Sequence, residues 1–443
     1  MPAPSIHAVY RADHSAIEKL PWHLPLKDWP EQFLGGLPRG ISRHVVRFVE
    51  IGDEVLAIKE TDEHRALREF DILGVLGNLD VPTVEPRAIV TDRTTESGQP
   101  LPGALLTAYL DFSLPYRALF SRSLAEDTAG RLVDALAVLL ARLHLVGFYW
   151  GDVSLSNTLF RRDADAYAAY VVDAETGELH DQLSTGQREM DLRIARTNIA
   201  GDFLDLQAGG IIDPGVDPLA ASDRLLEAYN GLWAELTRVE EFSINERWRI
   251  DERIRRLNDL GFDLGELTVT TDVDGVSLLV EPKVVEPNHH SRRLLRLTGI
   301  GANENQARAM LNDLDAYRSS AVSGGTRLHH DHGGEQDPHR DSAGAHGFGG
   351  AHGSAGSPVE LSEDEGARIW LAEVYKPLID AIPNSLTHKL EPAQIFYEFA
   401  EHRRVMSRAR QRDIPIREAI AYFIMDDLAN LPDESRYVDS RQF

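Results

Sequence analysis

The stretch from Ala125 to Phe160 constrains this chain more than any other. Ala125 to Phe148 places Leu132, Leu136, Leu139, Leu140 and Leu143 at helical spacing, which predicts a long helix buried along one stripe. Such a helix supports a core; it is not a membrane span. The chain then continues without a pause through Tyr149-Trp150-Gly151-Asp152-Val153-Ser154-Leu155-Ser156-Asn157-Thr158-Leu159-Phe160. The Asp-x4-Asn spacing puts the Asp152 carboxylate where it can accept a proton from a hydroxyl, and the Asn157 amide oxygen where it can ligate a metal. The run Ala168 to Val172 reads as a buried strand that delivers Asp173, sixteen residues after Asn157. A carboxylate in that position is costly to bury unpaired, so it is expected to hold a cation.

Upstream, residues 44–60 give two alternating β segments around the turn Gly52-Asp53, and the second segment ends in Ala57-Ile58-Lys59. An Ala-x-Lys on such a strand is where a kinase fold presents an ammonium group to the phosphates of ATP. The next helix, ALREFDILGVLGNL, offers Glu69 ten residues later as a partner for Lys59. Each piece alone has a plain explanation, since Asp152 and Asn157 suit turns and Asp173 suits a loop. Their joint order of strand lysine, helix glutamate, apolar helix, Asp-x4-Asn, apolar strand and aspartate is hard to reach by accident.

These residues carry a resemblance. AIKE with REF, GDVSLSNTLF and VVDAETGE resemble the protein-kinase-like fold, and within it the bacterial lipopolysaccharide kinase family (the Kdo/heptose kinase type) and its aminoglycoside-phosphotransferase-like relatives. The resemblance spans about residues 35–205 and implies an ATP- and Mg²⁺-dependent phosphotransferase. By it, Lys59 orients the phosphates and Glu69 pairs with Lys59. Asp152 is the catalytic base, and Asn157 and Asp173 ligate Mg²⁺. An aspartate after the site often braces the catalytic loop in such folds, which makes Asp191 a candidate for that task. The implied acceptor is a hydroxyl on a small molecule or glycan, most simply a sugar.

Three departures qualify the likeness. The phosphate-covering loop is poor in glycine, with Gly40, Ser42 and Arg43 as its expected contacts. The catalytic loop reads Trp-Gly-Asp in place of His-Arg-Asp, so the arginine that reads a phosphorylated activation loop is missing. The metal motif reads Asp173-Ala174-Glu175 in place of Asp-Phe-Gly. The glycine-poor loop and Asp-Ala-Glu favour a competing reading, a pseudokinase or regulatory scaffold that binds a protein partner through residues 216–443. Retention of Lys59, Asp152, Asn157 and Asp173 speaks against it.

The expected fold class is α+β: a bilobal kinase-like domain with a β-rich N-lobe and a helical C-lobe, a smaller α+β segment, and a C-terminal helical module. We place an N-terminal extension at 1–34, the kinase-like domain at 35–215, the accessory segment at 216–320, a disordered Gly/His-rich linker at 321–358 and the helical module at 359–443. The linker contains six histidines and almost no large apolar residue, so it lacks the supporting shell that fixes imidazoles around a metal. In the accessory segment, ELTVTTDVDGVSLLVEP reads as a hairpin. LLRLTGIGANENQARAMLNDL has a helix, Gly-Ile-Gly, helix layout flanked by Arg292, Arg293 and Arg296. A net charge of −25 argues against nucleic acid as a partner. The 443 residues include no cysteine, which excludes thiolate catalysis and disulfide frameworks and suits a reducing cytoplasm, and no apolar run is long enough for a transmembrane segment.

Overall fold

The computed structural model describes residues 4–9, 12–35, 45–121, 127–213, 215–243, 246, 248–271, 277–323 and 361–435. Its small lobe is an antiparallel sheet of β1 (Ser5–Ala8), β2 (Val45–Ile51), β3 (Glu54–Thr61), β4 (Pro86–Thr91) and β5 (Gly103–Ala108), ordered β1-β4-β5-β3-β2. α1 (His14–Glu18) precedes β2, and α2 (Glu63–Asn78) follows β3. The period of two along β3 sends Leu56 and Ile58 into one core and leaves Ala57 and Lys59 for the other face.

Residues 1–34, expected as a separate extension, are instead integral to this lobe where they are described. β1 pairs with β4, and Ile17, Trp22, Leu26 and Trp29 pack into the same core as Leu56 and Ile58. The buried Arg93 guanidinium fastens the segment by donating to the carbonyls of Trp22 and Leu24 and to the Glu60 carboxylate. An unpaired guanidinium would be expensive there, so the carbonyls and the carboxylate together make its burial tolerable.

The large lobe follows with β6 (Ser113–Pro115), α3 (Tyr116–Ser121), α4 (Thr128–Leu145), β7 (Phe148–Tyr149), β8 (Thr158–Asp163), β9 (Ala166–Val171), β10 (Glu178–Leu179), α5 (Thr185–Ala208) and α6 (Pro218–Thr237). All five stripe leucines of α4 are at most 1% exposed, so α4 is the spine of the main core. Burial of that kind contributes on the order of 2 kcal/mol per leucine. The helix stops before Gly147, whose φ is 80° and where a Cβ would lie 2.0 Å from the His180 carbonyl oxygen. Leu225, Tyr229 and Leu236 of α6 join this same core, so the helical lobe runs past residue 215, where the sequence suggested it ended.

The remaining elements are β11 (Glu240–Ser243), α7 (Trp248–Asp259), β12 (Phe262–Thr271), β13 (Ser277–Pro287), α8 (His289–Thr298), α9 (Glu304–Ser323), α10 (Glu363–Trp370), α11 (Lys376–Asp380), α12 (Pro392–Arg410) and α13 (Ile416–Asp426). β12 and β13 form the expected hairpin, with β11 on the outer side of β13. α9 runs to Ser323, so the first three residues of the expected linker are helical; the rest of it lies outside the described residues. A π-helical turn at Leu371–Tyr375 joins α10 to α11 just ahead of Pro377, whose ring nitrogen cannot donate.

The accessory segment and the helical module, which the sequence reading kept apart, share a core. Leu294, Met310, Leu311 and Leu314 pack with Trp370, Leu378, Phe396 and Phe423. Around Gly-Ile-Gly the cations are already neutralised. Arg292 pairs with Asp263 and Glu286, and Arg293 and Arg296 pair with Glu363. The turn docks on the β8–β9 hairpin instead: Asn305 Nδ2 and the Gln306 N–H donate to Asp163, and Tyr170 donates to Asn303 Oδ1. Glu398 and His402, four apart on α12, turn to different partners, Gln394 and Asp427 respectively.

Candidate active site

Lys59 leaves β3 on the face turned toward α2. Asp62 caps that helix by accepting the N–H groups of His64 and Arg65, which sets its phase. Ala66, Glu69, Phe70, Leu73 and Leu76 then form its buried stripe. Glu69 is thus a carboxylate at a core position, and Lys59 Nζ meets its Oε2 at 2.9 Å. The same ammonium lies 2.9 Å from Asp173 Oδ2 and 3.6 Å from Glu175 Oε2. Burial works against the Lys59 charge, but Glu69 and Asp173 outweigh it and hold the pKa above its usual value. Burial also pushes Glu69 up to about 7, in spite of Lys59.

The catalytic loop is held from several sides. Asn157 Nδ2 donates to the Asp152 carbonyl at 2.9 Å and to Asp152 Oδ2 at 3.0 Å, which leaves the Asn157 amide oxygen as its ligand atom. Asn198 Nδ2, from α5, donates to Asp152 Oδ1 at 3.1 Å. Asp191 accepts the N–H of Trp150 and of Gly151, each at 2.8 Å. Gly151 adopts φ 77°, a conformation that lets both N–H groups face one carboxylate. The Trp150 indole, fully buried, donates to the Asp173 carbonyl at 2.8 Å and so ties the loop to the end of β9.

His144 Nε2 lies 3.2 Å from Asp191 Oδ2, and its Nδ1 lies 2.7 Å from the Tyr229 hydroxyl. Burial lowers the His144 pKa although Asp191 opposes it, so the ring is neutral near pH 7. Nε2–H then donates to Asp191, and Nδ1 accepts from Tyr229. Asp202 accepts the Leu155 N–H at 2.8 Å, and burial raises its pKa to about 6.

β8 begins directly after Asn157 and pairs Thr158 with Val171, while the Val172 N–H donates to the Asn157 carbonyl at 3.2 Å. That register sets Asn157 beside the strand end that bears Asp173. Carboxylate oxygens of Glu69, Asp173 and Glu175 all lie within 4.8 Å of one another. Lys59 is the cation these three carboxylates share in this structure, and Asn157, beside the same strand end, carries a further oxygen donor. Hard-oxygen groups of this kind are what a magnesium ion takes as ligands. A pocket of about 500 Å³ opens beside Asp152, lined also by His64, Arg65, Arg68, Glu175 and Thr176.

The structure therefore gathers Lys59, Glu69 and Asp173 in one cluster and fixes Asp152 and Asn157 to each other. Gly40, Ser42 and Arg43 lie outside the described residues. Sequence reasoning did not single out His144, Asn198 or Asp202 and assigned Glu175 no ligand role. Glu175 had a visible signal, an acid two residues after Asp173; the other three are ordinary helix residues in sequence.

A strand lysine pinned by a helix glutamate, with an Asp-x4-Asn loop facing a strand-end aspartate between two lobes, defines a kinase-like phosphotransferase fold. Residues 35–203 match the family model described as the phosphotransferase enzyme family, and residues 231–335 and 352–428 match a domain of unknown function, DUF4032. Among solved structures, WaaP in complex with acyl carrier protein is similar at 15% identity with a TM-score of 0.33, over 58% of this chain and 99% of that one. No curated protein matches. Among the described residues no helix is long and apolar enough to cross a membrane.

Proposed function

We propose that this chain transfers the terminal phosphoryl group of ATP to a hydroxyl of a sugar or sugar-containing molecule. The observation that carries the reading is Lys59 held 2.9 Å from both Glu69 and Asp173, while amides grip both carboxylate oxygens of Asp152. Asp173 and Asn157 would hold Mg²⁺, with Glu175 close by. When bound, the metal neutralises charge on the nucleotide phosphates.

The chain's own residues supply position and charge. Lys59 orients the phosphates, and Glu69 keeps its ammonium extended. Asp152 accepts the proton of the attacking hydroxyl. The polar pocket beside Asp152 suits an acceptor with several hydroxyls. Catalysis of this kind is mostly alignment and electrostatic stabilisation. A reducing, ATP-rich cytoplasm is the compartment that fits this chemistry and a chain without cysteine.

The test is ATP turnover with Mg²⁺, with and without sugar and protein acceptors, beside Asp152→Ala and Asp173→Ala. Both variants are expected to lose about a hundredfold or more in kcat. If the wild type neither turns over ATP nor gains thermal stability from Mg²⁺-ATP, the phosphotransferase reading fails and the scaffold reading replaces it.

A further inference from the structure

A second cavity, of about 900 Å³, lies away from the catalytic cluster where the kinase-like lobes meet the later segment. Its apolar wall includes Leu73, Val81, Val138, Leu139, Leu260 and Ala302, drawn from both parts of the chain. The volume is ample for a small organic molecule.

Arg142 of α4 also lines this cavity. Its residue surface is only 8% exposed, and its Nε is buried with no hydrogen-bond partner among the described residues. Among the described residues its one ring contact is with Phe262, 5.8 Å from the guanidinium carbon, and no side-chain hydrogen bond or ion pair reaches it. The two carboxylates whose charge reaches it, Glu304 and Asp163, are engaged by other donors. Glu304 accepts from the N–H and Nδ1 of His290 and from the N–H and hydroxyl of Ser291. Asp163 accepts from Asn305 and Gln306. A buried guanidinium left without an acceptor is costly, and planar, bidentate oxygen pairs are what satisfy it best.

We propose that this cavity binds a small molecule with an oxyanion head, a carboxylate or a phosphate monoester, and an apolar body. The head pairs with Arg142, and the body lies against the apolar wall. The site is separate from the phosphoryl-transfer cluster and does not depend on it.

Calorimetric titration of the full chain with octanoate, octyl phosphate and uncharged octanol tests this. Saturable binding of either charged probe is expected, with octanol at least about tenfold weaker, and the probe preferred identifies the head group. Arg142→Met, which keeps the bulk and removes the charge, is expected to lose at least about tenfold in affinity while unfolding no more easily than the wild type. Val138→Phe, which fills the cavity and leaves Arg142 in place, is expected to lose binding too and serves if Arg142→Met fails to fold. Lys59→Ala is expected to bind as the wild type does. The proposal is overturned if neither charged probe binds saturably, if octanol binds equally well, or if a folded Arg142→Met or Val138→Phe binds undiminished.

Discussion

Asn198 donates its side-chain amide to Oδ1 of Asp152 at 3.1 Å, while Asn157 holds Oδ2 at 3.0 Å. The carboxylate is thereby fixed from α5 on one side and from its own loop on the other. A group held this way loses little freedom when the reaction occurs, which is how positioning lowers a barrier.

Asn198→Ala should therefore lower kcat by roughly 10- to 100-fold, with the KM for ATP within about threefold of wild type, because Asn198 touches the base and none of the phosphate-facing groups. Steady-state kinetics on the folded variant checks this. A change confined to the KM for ATP would assign Asn198 to nucleotide binding instead.

Asp191 satisfies Trp150 N–H, Gly151 N–H and His144 at once in a fully buried setting. Asp191→Ala strands all three, and urea unfolding should show a loss of about 3–5 kcal/mol. Asp191→Asn keeps one acceptor oxygen and should lose less. Equal stability in wild type and alanine variant would contradict this account of the loop.

Glu69 carries a pKa raised to about 7 by burial. As pH falls through that value Glu69 gains a proton and no longer attracts Lys59 as an anion, so kcat/KM should decline on the acid side of about pH 7. Glu69→Gln should be less active throughout and should lack that limb. A wild-type profile flat from pH 8 to about pH 5.5 would refute it.

Asp163, which receives the docking turn, has a folded-state pKa raised to about 6 by burial, from 3.8. The folded state thus binds this proton more tightly than the unfolded chain does. Its stabilising contribution is complete below pH 3.8 and is lost as pH rises through about 6. Relative to Asp163→Asn, the wild type should gain up to about 3 kcal/mol between pH 7 and pH 4. Paired denaturation curves at the two pH values measure the difference, and an unchanged gap would show that Asp163 does not titrate in this window.

The site was legible where its chemistry follows chain order. Lys59 sits on an alternating strand, Glu69 on the next helix, and Asp152 and Asn157 five apart in one loop. The resemblance also pointed to Asp191 as a brace, although α5 begins at Thr185, a turn and a half ahead of it. His144 and Asn198 were not, because their partners lie 47 and 46 residues away and local pattern says nothing of such pairs. Ser5–Ala8 gave no sign of pairing with β4, since an edge strand of four residues has too short a pattern to announce its neighbour.

The sequence by itself determined the kinase-like order of elements, the buried α4 stripe and the principal polar residues of the cleft, because helix and strand periods and loop spacings are local properties. Only the tertiary structure decided that residues 5–9 and 12–34 complete the small lobe, that α6 belongs to the large one, and that the Gly-Ile-Gly turn docks on the β8–β9 hairpin. It alone revealed Arg142 beside a cavity, its buried Nε without an acceptor among the described residues. Those outcomes depend on which surfaces exclude water from one another and which polar groups find partners after they do, and neither is written in the spacing of residues along the chain.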